Sequence, residues 1–175
     1  MGVDVRDYDP AWPGLAVAAT DEVTLALGDA VVAIEHIGST AVPGLAAKPV
    51  IDLMAAVRDL RDVTDRESAL TALGYRAVDT GMPGRLFSRR DGRPVACHFH
   101  VVPADTWPER NERILRDHLL QNPEDLARYA QLKRDLSGAG LDGDSYTRSK
   151  TPLIQQMMDA ARRKRGLPPV PVWEE

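Results

Sequence analysis

His36-Ile37-Gly38-Ser39-Thr40-Ala41-Val42-Pro43-Gly44-Leu45-Ala46-Ala47-Lys48-Pro49-Val50-Ile51-Asp52-Leu53 joins the end of an apolar strand, a small-residue turn, a short helix and a second strand carrying a carboxylate. Ala30 to Ile34 reads as the first, buried strand. Gly38-Ser39-Thr40 then offers free backbone N–H groups and two hydroxyls where a helix begins, a favourable place for an anion. Lys48 adds a cation. The twelve residues between Ser39 and Asp52 leave room for a short helix and a return into Val50-Ile51-Asp52-Leu53-Met54. Asp52 interrupts that apolar run, and a buried, unpartnered carboxylate is costly or is forced neutral. It therefore needs a partner: a metal ion, Lys48 or an opposing histidine. His36, two residues before Gly38, either touches a ligand's phosphate or ends its strand. The plainer alternative makes Gly38 a tight turn, Ser39 or Thr40 a helix cap, and Asp52 a strand-end carboxylate satisfied by backbone N–H groups. The run of small residues, which clears side-chain bulk from the backbone, favours a phosphate cradle.

Outward from this stretch, the pattern predicts a single α/β domain over residues 1–175. It comprises an α/β core over about 1–105, a helical portion over about 106–167 and an extended tail over 168–175. Asp9-Pro10-Ala11-Trp12-Pro13 starts a helix that runs to about Leu27. Asp65 to Leu73 reads as an amphipathic helix closed by Gly74, and Gly74-Tyr75 opens another strand. Arg85 to Ser88 and Val95 to Val102 are β-like runs joined through an Asp91-Gly92 turn, which predicts a hairpin. Three helices follow, over Glu109–Gln121, Pro123 to about Ser137 and Asp144–Arg165.

Composition limits the function classes. The 175 residues, 43% hydrophobic, are enough for a real core. The net charge of −4 argues against a nucleic-acid partner. No apolar run approaches the roughly 20 residues that span a bilayer, and Met1-Gly2-Val3 begins no signal peptide. With a single cysteine, Cys97, these features predict a cytoplasmic protein without disulfides or a membrane partner.

His98 and His100 alternate with Cys97, Phe99 and Val101, so a strand places both imidazoles on one face. If that strand neighbours the one carrying Asp52, two histidines and a carboxylate suit a divalent ion with open positions. The alternative is a pair of neutral, hydrogen-bonded histidines at a sheet end. His118, in a charge-rich helix, reads as a surface residue.

Trp12, the whole run from Glu35 to Asp52, Leu73-Gly74-Tyr75, His98-Phe99-His100-Val101-Val102, Arg116-Asp117, Tyr129-Ala130-Gln131-Leu132-Lys133 and Tyr146-Thr147-Arg148-Ser149-Lys150 together resemble the GrpB family. Members of that family are similar to the nucleotidyltransferase superfamily and occur also as a domain appended to dephospho-coenzyme A kinases. The resemblance implies a nucleotidyltransferase-like mixed sheet flanked by helices, with an added C-terminal helical portion. It implies that Gly38 and Ser39 hold a nucleotide's phosphates and that Asp52 is the first metal-binding acid. It also selects Arg116, Lys133, Tyr146 and Lys150, with His36, Thr40 and Lys48, for nucleotide binding. Asp52, Ser39 and Lys48 are then the catalytic candidates, and Asp52, His98 and His100 the ligands of Mg, Mn or Zn. The chain departs from the superfamily pattern where a second acid belongs, two residues after Asp52, because Met54 is no hard oxygen ligand. His98-Phe99-His100 stands where the third acid is expected. The implied activity is metal-dependent nucleotidyl transfer to a small molecule. The alternatives are a non-catalytic domain binding a nucleotide or phosphorylated metabolite, and a transition-metal enzyme using Asp52, His98 and His100.

Overall fold

The computed structural model describes residues 4–92 and 94–172. Asp9 accepts the Ala11 N–H at 2.8 Å ahead of helix α1 (Trp12–Leu27). Pro13 occupies the first turn, where its missing donor is not needed. Trp12, Ala16, Ala19, Val23 and Leu27 recur at helical spacing and form the buried stripe that rests on the sheet.

The sheet has five strands: β1 (Val31–Ile37), β2 (Val50–Val57), β3 (Arg76–Ala77), β4 (Leu86–Arg90) and β5 (Ala96–Pro103). Their spatial order is β1-β2-β5-β4-β3. All pairs are antiparallel except the central β2–β5 pair, which is parallel. A parallel pair requires a long connection. Here it consists of two short helices, α2 (Arg61–Thr64) and α3 (Glu67–Ala72), followed by strands β3 and β4. The sheet is thus mixed and flanked by helices, as the sequence predicts. Arg93, in the predicted hairpin turn, lies outside the described residues, as do the start at residues 1–3 and the end of the tail at 173–175.

Two local expectations change. The predicted helix after Ser39 is only a 3₁₀ turn (Ser39–Ala41), because Pro43 lacks a donor and forces Val42 into an extended conformation (φ −112°, ψ 107°). The predicted helix over Asp65–Leu73 starts later, at Glu67, because Arg66 leaves helical geometry (φ −107°, ψ 15°). Its guanidinium instead caps the Asp62 carbonyl of α2 at 2.8 Å.

Period-2 alternation sends Ile51, Leu53, Ala55 and Val57 of β2, with Cys97, Phe99 and Val101 of β5, toward α1 and α3. The opposite face carries Ile37, Met54 and Val102, covered by Trp107, and faces the helical portion. That portion contains α4 (Asn111–Gln121), α5 (Pro123–Gly138) and α6 (Gly143–Lys164). Pro108 holds the segment before α4 in a 3₁₀ turn, and Asp142 caps α6 by accepting the Ser145 N–H at 2.8 Å. Leu119, Tyr129, Ala130, Ile154 and Met157 form the helical core, which also takes in Val42 and Leu45 from the loop before β2.

α4 is fixed to the sheet by charge. Arg113 forks onto both oxygens of Glu35 on β1 (2.9 and 3.1 Å) with its guanidinium 4.2 Å from the Trp107 ring centre. His118 does not lie on the surface as the sequence predicts. It is buried, 2.7 Å from Asp125, and so joins the end of α4 to the start of α5. The tail folds back along α6. Arg162 donates to the Pro168 carbonyl, while the Gln155 side chain donates to the Val170 carbonyl and accepts the Val172 N–H, both at 2.9 Å.

Candidate functional site

Register assembles the first part of the site. In the parallel pair Asp52 stands opposite His98 and Met54 opposite His100, so Asp52 and both histidines share the face turned toward the helical portion. Asp52 Oδ1 lies 3.2 Å from His98 Nδ1 and 3.9 Å from His100 Nε2. Phe87 of β4 packs against both imidazoles, with ring centres 5.3 and 4.8 Å away. Burial works to raise the Asp52 carboxyl, but His100 and His98 outweigh it and hold it at about 2.

Gly38 is dictated by its neighbour as well as by its backbone. Its φ of +74° is in the left-handed region, and a Cβ there would stand 2.6 Å from Asp52 Oδ2. The glycine of the small-residue turn therefore makes room for the acid on the next strand.

The helices supply the second part. Lys133 of α5 is 3% exposed and donates from Nζ to Ser39 Oγ at 2.7 Å. Lys150 and Lys48 stand 4.3 and 5.3 Å from the centre of the Tyr146 ring. Burial lowers Lys133 to about 7, Lys150 adds to this, Asp52 opposes it and Lys48 adds again. Burial, with Lys48, lowers Lys150 to about 8. Tyr146 is itself buried and its hydroxyl has no hydrogen-bond partner among the described residues.

Two cavities meet here. The smaller, about 190 Å³, is lined by Ser39, Lys48, Asp52, Lys133, Tyr146 and Lys150 among others. The larger, about 450 Å³, extends between the sheet and the helices. Ser39, Asp52, His98 and Lys150 belong to both walls.

The structure thus brings together Gly38, Ser39, Lys48, Asp52, His98, His100, Lys133, Tyr146 and Lys150. Three other candidates are engaged in holding the fold. His36 pairs in register with Leu53, so it projects from the opposite sheet face and lines neither of these cavities. Its Nε2 meets Thr40 Oγ1 at 2.8 Å, and burial lowers it to about 4 despite Asp52, with Arg116 adding to the effect. Thr40 lines the smaller cavity, but it is buried and its hydroxyl donates to the Val50 carbonyl. Arg116 lines the larger cavity, but its guanidinium is taken up by Glu35, Asp117 and the His36 carbonyl.

The three expected metal ligands lie together. Asp52, His98 and His100 converge as the sequence predicts, but both imidazoles face one carboxylate oxygen. Among the described residues, no group of three His, Cys, Asp or Glu could hold a metal ion. Met54, in the place of a second acid, is fully buried beside Ile37, Val102 and Trp107. The set as it stands is an acid–imidazole cluster, with both rings turned on Asp52 Oδ1.

Sequence reasoning missed Arg85 and Glu112, an ion pair of 2.7 Å in the wall of the larger cavity. Burial works to raise Glu112, and Arg85 holds it below the usual carboxylate range. Nothing local marks two opposite charges 27 residues apart as partners. Among the described residues no helix is long and apolar enough to cross a membrane.

A UPF0157 protein of Streptomyces coelicolor is 36% identical over 93% of this chain and 88% of its own length. A dephospho-CoA kinase of Mycolicibacterium paratuberculosis is 31% identical over 89% of this chain, which spans only 44% of the kinase. The crystal structure of the conserved protein GrpB from Enterococcus faecalis superposes with a TM-score of 0.86 at 30% identity, covering 93% of this chain and 99% of that one. The family model described as GrpB protein matches residues 2–160. The chain belongs to the GrpB family.

Proposed function

We propose that this protein binds a phosphorylated small molecule, of which a nucleotide is the favoured class, with its phosphate chain in the smaller cavity against the Gly38-Ser39 turn. The observation that carries this reading is the convergence of Lys48, Lys133 and Lys150 on Ser39 and Tyr146, with no carboxylate among the described residues in ion-pair contact with any of the three. Gathering like charges around a buried Lys133, with Lys150 half-buried and Lys48 exposed, is unfavourable in the free protein, and a polyanion converts that repulsion into attraction. The unpartnered Tyr146 hydroxyl supplies a further donor. Isothermal titration with ATP, GTP, CTP, UTP and inorganic triphosphate tests the reading. Saturable binding that weakens with salt and falls at least tenfold in Lys133→Met is expected, since a hydrogen bond to a charged group contributes about 1.5–3 kcal/mol. No binding by any of the five overturns it.

A second reading, nucleotidyl transfer, is favoured by one observation: Asp52 and His98 stand where the two cavities join, positioned to take a proton from an acceptor. Met54 weighs against it. Release of pyrophosphate from a bound triphosphate on adding an acceptor would establish transfer, and its absence with a broad acceptor panel leaves the binding domain.

A further inference from the structure

The larger cavity is asymmetric. Its helical side carries an apolar stripe, built from Leu115 and Leu119 of α4, Ile154 and Met158 of α6, and Val172 of the tail, beside the polar Arg116 and Thr147. Its sheet side is polar, with Asp52, His98, His100 and Arg85, whose ion pair with Glu112 of α4 bridges to the helices. The space is continuous with the lysine-lined cavity through Ser39, Asp52, His98 and Lys150, and it has more than twice that cavity's volume. A bare polyphosphate would leave this apolar wall wet. We propose that the ligand is an organic phosphate whose body, apolar on one side and hydrogen-bonding on the other, fills the larger cavity, so that the protein selects organic phosphate esters over inorganic polyphosphate. This rests on the phosphate-binding reading above and adds the class of the esterifying group.

The tail has a part in that selection. Clamped by Gln155, it carries Val172 to the cavity wall. Val172 packs beside Leu115 against the helical cores. Leu115 and Val172 are only partly buried, so polar replacements there change the cavity with little demand on the core.

The test is titration of wild type with inorganic triphosphate and with its methyl, butyl and hexyl monoesters. Each methylene that enters the apolar wall is expected to tighten binding about fourfold, until the cavity is full. Leu115→Gln and, independently, Val172→Asn are expected to weaken hexyl triphosphate at least tenfold and to leave inorganic triphosphate within twofold. Equal affinity for inorganic triphosphate and all three esters overturns the inference and leaves the phosphate site intact. Equal loss of both ligands in both folded variants also overturns it. Failure of every probe to bind overturns the phosphate-binding reading and this one with it.

Discussion

Replacing Lys133 with Met should make the protein more stable. Lys133 is 3% exposed, and its burial beside Lys150 lowers it from 10.5 to about 7. At 1.36 kcal/mol for each pH unit, this corresponds to about 5 kcal/mol against holding the ammonium inside. The unfolded chain keeps its proton up to 10.5 and the folded chain only to about 7. Between those values the unfolded state binds more protons, so the wild type gains stability as pH rises. Below pH 7 the penalty is present in full, and above 10.5 it is gone. Methionine preserves the length of the side chain and removes the charge, at the expense of the hydrogen bond to Ser39, about 1 kcal/mol. Lys133→Met should therefore exceed the wild type by about 4 kcal/mol at pH 6. The gap should close by about 3 kcal/mol between pH 7 and 9.5. Urea denaturation of both proteins across this range measures it, and titrations common to the two cancel in the difference. A gap that does not change with pH, or a variant less stable throughout, would refute the claim that Lys133 is held inside without a counter-charge.

Three further outcomes are expected. Gly38→Ala should lose about 1–2 kcal/mol from the left-handed backbone alone, and more as its methyl pushes Asp52 away, read as a lower urea midpoint. Asp52→Asn should be about 2 kcal/mol less stable at pH 6, because the carboxyl is lowered from 3.8 to about 2. A lowered carboxyl stabilises the fold above 3.8 and ceases to do so as pH falls through 2, so the two proteins should converge in acid; a constant difference would show that His98 and His100 do not hold the charge. Met54→Asp, which writes a second acid into the strand, should destabilise by several kcal/mol because the site is closed by Ile37, Val102 and Trp107. Calorimetry showing a well-folded variant that binds Mg²⁺ would contradict that account.

The local features were legible because each follows from a short-range rule. Alternation alone puts His98 and His100 on one face, and the small-residue run marks the turn before Asp52. Pairing across the sheet was not legible. The facing of Asp52 and His98 depends on a parallel register set through α2, α3, β3 and β4, which no periodicity within either strand specifies. Lys133 was reached through the family resemblance, and its spacing gives no hint that it would meet Ser39, 94 residues earlier. His36 illustrates the converse. Its closeness in sequence to Gly38 suggests a ligand contact, but Ile37 is the residue that pairs with Asp52, and the single step back to His36 turns it to the other face. His118 misled because the charges around it suggest a solvated face, whereas Arg113 and Arg116 are drawn onto Glu35 and the His118 ring is enclosed by the turn into α5.

The Gln155 clamp on the tail has an implication for how the molecule tolerates change. A carboxamide presents an N–H and a C=O side by side, as a peptide unit does, and the second N–H of Gln155 goes to Asp159 at 2.8 Å. By meeting the Val170 carbonyl and the Val172 N–H together, Gln155 stands in for a neighbouring strand that the tail lacks. Glutamate at this position would keep the acceptor and lose the donor, and asparagine would fall a methylene short. Because a single side chain reads the tail's backbone rather than its side chains, the residue at position 172 is left free to vary, and relatives with the same clamp can refit one wall of the cavity without rebuilding the fold.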